Sequence, residues 1–182
     1  GWGANSYGQL GDGTTTTRPA PTRAGTSNAW AQVYGTIGTY TVCGLQTDNS
    51  LWCWGYNAYG QVGDNTTTNR SAPVKISGTS AYVSVSVGSN SACAVQTDGS
   101  LWCWGDNYYG SLADGSNTDA LVPIRGLPYT TDWAQVAGGD SYMCGIRTDG
   151  SVWCWGSGGN GQLGTSNVDT SHVLPKIVDG LP

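Results

Sequence analysis

The chain has 182 residues, a net charge of −5 and only 10% charged residues, with neither Phe nor Glu. Seven Lys and Arg scattered along an acidic chain exclude nucleic acid as a partner, because phosphate-backbone binding needs clustered positive charge. No apolar run approaches membrane-spanning length, so bilayer insertion is excluded too, and the length suits one domain, residues 1–182.

Three motifs then recur in a fixed order. The chain opens with GANSYGQLGDG, a Thr run from Thr14 to Thr17 and Pro21. A strand-like WAQVYG begins at Trp30, and CGLQTDNSLWC follows from Cys43, closing on Trp-Cys-Trp-Gly. The second round reads GYNAYGQVGDN, Thr66 to Thr68, Pro73, YVSVSVG from Tyr82 and CAVQTDGSLWC from Cys93. The third reads GDNYYGSLADG, Pro123, WAQVAGG from Trp133 and CGIRTDGSVWC from Cys144, after which GSGGNGQLGTS and Pro175 end the chain. Trp2 to Trp54 is 52 residues, Trp54 to Trp104 is 50 and Trp104 to Trp155 is 51. All nine tryptophans sit on this template. A period near 50 built of short strands, with no 3.6-residue apolar spacing, predicts β-propeller blades. The approximate repeats are 2–53, 54–103, 104–154 and a partial 155–182.

Within each round, the turns Thr47-Asp48-Asn49, Thr97-Asp98-Gly99 and Thr148-Asp149-Gly150 suit a three-residue hairpin loop. Such a loop ends on a left-handed residue, where Gly is cheapest and Asn next. That hinge pairs Ser50 with Gln46, Leu51 with Leu45, Trp52 with Gly44 and Cys53 with Cys43. Three disulfides are therefore expected: Cys43–Cys53, Cys93–Cys103 and Cys144–Cys154. Nine residues between cysteines is not zinc-ligand spacing, and paired cysteines imply an oxidising compartment. One hairpin face carries Trp52, Trp102 and Trp153, each opposite a small residue over which the ring is expected to lie. The other face is aliphatic plus cystine. Both faces need cover, which blades stacked around an axis provide.

Gly-Gln-Leu-Gly, the Asp-Gly hairpin and Trp-Gly together resemble the regulator of chromosome condensation repeat over essentially the whole chain, most specifically in GQLGDG from Gly8 to Gly13. The resemblance implies a propeller, usually of seven blades, each a four-stranded meander. Trp-Cys-Trp-Gly in place of plain Trp-Gly is similar to secreted bacterial members. Copy three departs from the pattern with GSLAD, copy four with GTS, and Ser91 and Tyr142 stand where family repeats often carry His. The fold class expected is all-β: blades of four-stranded antiparallel meanders, three complete repeats and a surplus segment. Three blades cannot close a ring, so the chain is either an excerpt of a longer propeller, consistent with its start at Gly1 without a leader, or is completed by other copies.

Candidate sites are few. His172, the single histidine, has no companion motif and reads as a solvated loop residue before Pro175. Asp114 to Asp119 offers oxygen ligands but lacks calcium-loop spacing, so a self-bonded turn is expected there and no metal. Asn65 and Asn69 match the N-glycosylation pattern, and Thr14, Thr15, Thr16, Thr17, Thr66, Thr67 and Thr68 are O-glycan candidates. Tyr56, Tyr59, Tyr108 and Tyr109 flank the Gly-Gln motifs on one rim as a candidate surface for protein or glycan. No cofactor and no catalysis are expected. The function expected is a secreted or cell-surface structural or adhesive scaffold, self-associating into a filament or surface layer. The alternative is a soluble module that grips a protein through its rim loops, as secreted relatives that inhibit β-lactamase do.

Overall fold

A computed structural model describes residues 1–35, 38–77, 81–166, 168 and 171–180. Its strands are β1 Trp30–Tyr34, β2 Thr41–Gln46, β3 Leu51–Gly55, β4 Arg70–Lys75, β5 Tyr82–Val87, β6 Ser91–Gln96, β7 Leu101–Gly105, β8 Ala120–Arg125, β9 Trp133–Gly138, β10 Tyr142–Arg147, β11 Val152–Ser157 and β12 Ser171–Ile177. They form three four-stranded sheets, β1-β2-β3-β4, β5-β6-β7-β8 and β9-β10-β11-β12, with every pair antiparallel. The sheets are three propeller blades in an open arc. Their first strands converge on a cleft of about 740 Å³ lined by β1, β5 and β9. Each fourth strand holds a proline (Pro73, Pro123, Pro175), which an outer edge tolerates because no further ladder needs its missing N–H.

Each blade takes three strands from one round of motifs and its outer strand from the next. Residues 1–25 are left over at the first end. Their bridge between Gly3 and Arg18 reproduces the Gly55–Arg70 pairing inside blade one.

The hairpins have the register their turns dictate: Cys43 faces Cys53, Gly44 faces Trp52 and Leu45 faces Leu51, with the same pattern in the other blades. All three disulfides form, and the described chain has no free cysteine. Asn49, Gly99 and Gly150 take the left-handed conformation at φ 62°, 80° and 86°. Ser50, Ser100 and Ser151 each donate a backbone N–H to the turn aspartate, and each accepts the Nε1–H of the tryptophan two residues on.

The small residue opposite that tryptophan has a different purpose from the one expected. A Cβ at Gly44 would lie 2.8 Å from the Trp30 ring, and one at Gly145 would lie 2.7 Å from Trp133. The cleared space holds the indole of the first strand, while Trp52 stands edge-on to Trp30 at 6.4 Å.

The other tryptophan of each Trp-Cys-Trp joins blade to blade. Trp54 donates Nε1–H to the Gln9 carbonyl at 3.0 Å, Trp104 to Gln61 at 2.9 Å and Trp155 to Ser111 at 2.8 Å. Each ring is buried in a socket made by the Gly-Gln-type turn preceding its own blade. Gly11 and Gly63 form the socket floor, because a Cβ there would come within 2.7 and 2.8 Å of the indole nitrogen. Blades two and three are further tied by Ser84 and Ser86 hydroxyls accepting the Val136 and Gly138 amides.

A polar clasp shapes each socket turn. Buried Asn57 donates Nδ2–H to Asp64 Oδ1, the Thr66 carbonyl and the Thr68 carbonyl, and accepts the Val62 amide at 2.8 Å. Asn5 and Asn107 repeat the arrangement. Replacing Asn57 by Ala strands these buried groups and is expected to destabilise by about 2–4 kcal/mol, measured by urea unfolding. At the corresponding positions of the fourth turn, Gly158 and Thr165 replace the Asn and the Asp, so that turn has lost its clasp.

The two ends of the arc differ. Residues 1–25 cover blade one incompletely, leaving a groove of about 630 Å³ beside Trp2, Leu10, Trp30 and Trp54. Blade three leaves Ile146 and Ile177 at 39% and 50% exposure.

Candidate binding surface

The rim at the end of the third strands carries the aromatic side chains. Tyr56 and Tyr59 lie on the turn after β3 with ring centroids 6.5 Å apart. They belong to a larger cluster. Tyr7, on the turn of residues 1–25, lies 4.9 Å from Tyr56 and 4.9 Å from Tyr40, which precedes β2. Tyr40 and Tyr59 are 47% and 40% exposed, so the cluster presents ring surface to solvent. Tyr108 and Tyr109 form a separate edge-to-face pair at 4.8 Å one blade further on, with Tyr108 the most exposed of the group.

The repeat places one niche at each blade junction, with different chemistry in each. At the first junction the corresponding positions are Tyr7, Tyr40 and Tyr56; at the second they are Tyr59, Asn90 and Asp106; at the third, Tyr109, Ser141 and Ser157. The third niche is a polar cleft of about 380 Å³ that also includes Asp140 and Gln162. Burial, reinforced by the nearby Asp119, pushes Asp106 above the usual carboxylate range. The rim therefore grades from aromatic to polar around the arc.

The loops that carry these side chains are held by charge. Asp12 and Asp64 are almost wholly buried, and each pairs with the Arg six residues on, Arg18 and Arg70. The Thr14 hydroxyl, above all, and Arg18 hold Asp12 down to about 2 against the effect of burial. At Asp64 burial is the largest influence and opposes ionisation, but the Thr66 hydroxyl and Arg70 outweigh it and keep the carboxyl low. Carboxylates depressed in the fold bind fewer protons there than in the unfolded chain, whose Asp titrates near about 3.9. Their contribution is thus complete above that value and vanishes as pH falls toward about 2. The thermal midpoint is expected to be flat above about pH 5 and to drop below about pH 4. A D12N/D64N variant should start lower at neutral pH and fall less steeply, as calorimetry across that range would record.

The other sequence candidates fall as follows. Asn65 and Asn69 are exposed, but the Asn69 side chain accepts the Asn57 amide at 2.9 Å. The Thr14 and Thr66 hydroxyls are occupied by Asp12 and Asp64, whereas Thr15, Thr16, Thr17, Thr67 and Thr68 are exposed. Asp114 and Asp119 turn inward, accepting from Asn107 and Ser116. No group of three His, Cys, Asp or Glu suited to a metal exists among the described residues. His172 is not a solvated loop residue: it lies in β12 opposite Gly156, buried, because the outer strand starts before Pro175 and turns the imidazole inward. No described helix is long and apolar enough to cross a membrane.

The sequence pattern described as the regulator of chromosome condensation (RCC1) repeat matches residues 1–35, 48–95, 98–146 and 149–182. The Ultraviolet-B receptor UVR8 of Arabidopsis thaliana is 30% identical over 177 residues, which is 97% of this chain and 29% of the receptor. Human WBSCR16 superposes with a TM-score of 0.83 at 24% identity, over 98% of this chain and 47% of that one. Yeast RCC1 (Prp20), solved with Kap60 bound, gives 0.83 at 18% identity, over 98% of this chain and 44% of that one. The chain thus spans less than half the length of each of these proteins.

Proposed function

The chain belongs to the RCC1 repeat family, and from that premise we propose that it is an extracellular, non-catalytic module that binds a protein through its tyrosine-bearing rim. The tyrosine cluster at the first junction is the observation that carries this reading. Tyr7, Tyr40, Tyr56 and Tyr59 offer large, stiff, amphipathic contact area, the chemistry enriched at binding hot spots. They stand on turns fixed by buried hydrogen bonds, so little freedom is lost on binding. Kap60 bound to yeast RCC1 supports a protein partner for this architecture, and repeat proteins of this family serve as binding or exchange-factor modules. Three disulfides support an oxidising, extracellular setting, in which exposed Asn65 is the acceptor for an N-linked glycan.

The test pairs two double variants. A partner cross-linked to the native chain in its own extracellular fluid should be lost with Y40A/Y59A and retained with Y108A/Y109A. The thermal midpoint should move by no more than about 2 °C in either, since all four rings are substantially exposed. Equal capture by all three proteins would refute the first-junction site. The scaffold reading has its own support in the two open ends of the arc, where matching halves of the inter-blade contact remain unused.

A further inference from the structure

The contact that joins the blades occurs three times within the chain, and its two halves each occur a fourth time without a counterpart. The pin is a tryptophan followed by glycine at the end of a third strand: Trp54, Trp104 and Trp155. The socket is a Gly-Gln-type turn of the preceding round, whose carbonyl takes the indole N–H and whose left-handed residue forms the floor.

Trp2 occupies the pin position of the segment before blade one, as its Gly3–Arg18 bridge shows. It is 67% exposed, although the other three pins are at most 2% exposed. Gln162 and Gly164 occupy the socket positions of the turn after blade three. The three filled sockets have buried floors at Gly11, Gly63 and Ala113, but Gly164 is exposed. A Cβ at Gly164 would meet only the tip of Val178, where one at Gly11 or Gly63 would strike an indole. No described indole donates to the Gln162 carbonyl, and Gly164 keeps the left-handed conformation of the other floor glycines at φ 64°.

We propose that Trp2 of one copy of this chain seats in the Gln162–Gly164 socket of a second copy, so that the inter-blade contact continues between molecules. The occupant is a second copy because the contact continues one already made three times in the same direction, from each blade to the next. Pin and socket lie at opposite ends of the arc, so the interface is heterologous and joins molecules head to tail. Seating the indole would also cover part of the apolar end of blade three, including Ile146. This inference is independent of the tyrosine rim, which lies on the turns and not on the blade faces.

Sedimentation velocity of the 182-residue chain over a wide concentration range tests it. The native chain should associate as concentration rises. Trp2→Ala, at an exposed side chain, should stay monomeric with an unchanged melting curve. Gly164→Asn should also stay monomeric, because Asn tolerates a positive φ and its side chain fills the socket. Mixing the two variants supplies one intact pin and one intact socket, and a dimer should appear in the mixture alone. A native chain that remains monomeric throughout overturns the proposal. Association that persists in Trp2→Ala overturns it too, since another surface must then be responsible, and so does a mixture that fails to dimerise while the native chain associates.

Discussion

Trp104→Ala is expected to cost about 3–5 kcal/mol, because it empties a fully buried site between blades one and two. For a domain of this size the midpoint should fall by roughly 10 °C. Part of the loss is apolar: the ring packs among Val62, Ile76, Val85 and Ala92. Part is polar, because the Gln61 carbonyl loses the indole N–H 2.9 Å away. Trp104→Phe separates the two, keeping ring contact while leaving the carbonyl unpaired, at an expected cost of about 1–3 kcal/mol. Trp102, two residues earlier on the same strand, supplies the control. It is half-buried and bonds only the Ser100 hydroxyl of its own hairpin, so Trp102→Ala should cost well under half as much. Equal losses from Trp102→Ala and Trp104→Ala in urea titrations would refute the pin role.

Removing the middle cystine as C93A/C103A is the second large effect. Closing an 11-residue loop stabilises by about 2.8 kcal/mol on the chain-entropy estimate, and both half-cystines are also fully buried in the joint between blades two and three. The combined loss should exceed about 3 kcal/mol. The equivalent change in blade three, C144A/C154A, removes a loop of the same length from a blade whose outer face is partly uncovered, so its packing loss should be smaller. Chemical denaturation of the two double variants checks the ranking. Identical losses would mean that loop closure alone accounts for the cystines.

The hairpins were readable from sequence because two independent constraints met there. The Thr-Asp-Asn and Thr-Asp-Gly turns set the loop length, and cysteine spacing allowed one register only. The all-β repeat architecture followed from period and alternation, as the three sheets bear out. The phase of the blades was harder to read, because a period carries no mark of where its structural unit begins. Proline strands belong to the blade before them, a fact that only ladder pairing reveals. His172 was misplaced for a related reason: Thr and Ser around it obscured the alternation of an outer strand. At the rim, Tyr56 and Tyr59 were legible from their position beside the Gly-Gln motif, and Tyr7 was available from its correspondence to Tyr59. Tyr40 had no such signal. It reaches the cluster through its carbonyl, which accepts the Tyr56 amide at 2.9 Å and draws the two loops together across sequence. The space opposite Trp52 shows the limit of pairwise reasoning. A residue facing a small neighbour on one strand is not necessarily the one that fills the gap, since Trp30 arrives from the other side.

Because each outer strand is borrowed from the following round of motifs, the unit that is duplicated in the gene and the unit that folds are out of step. Recombination between any two equivalent points, even within a strand, would rejoin a whole sheet with its cystine, its clasp and its indole contact intact. Such a polypeptide can be lengthened or shortened by one period without inventing new sequence at the splice. Divergence would then be confined to the turns that recognise, leaving the stack beneath them as interchangeable stock.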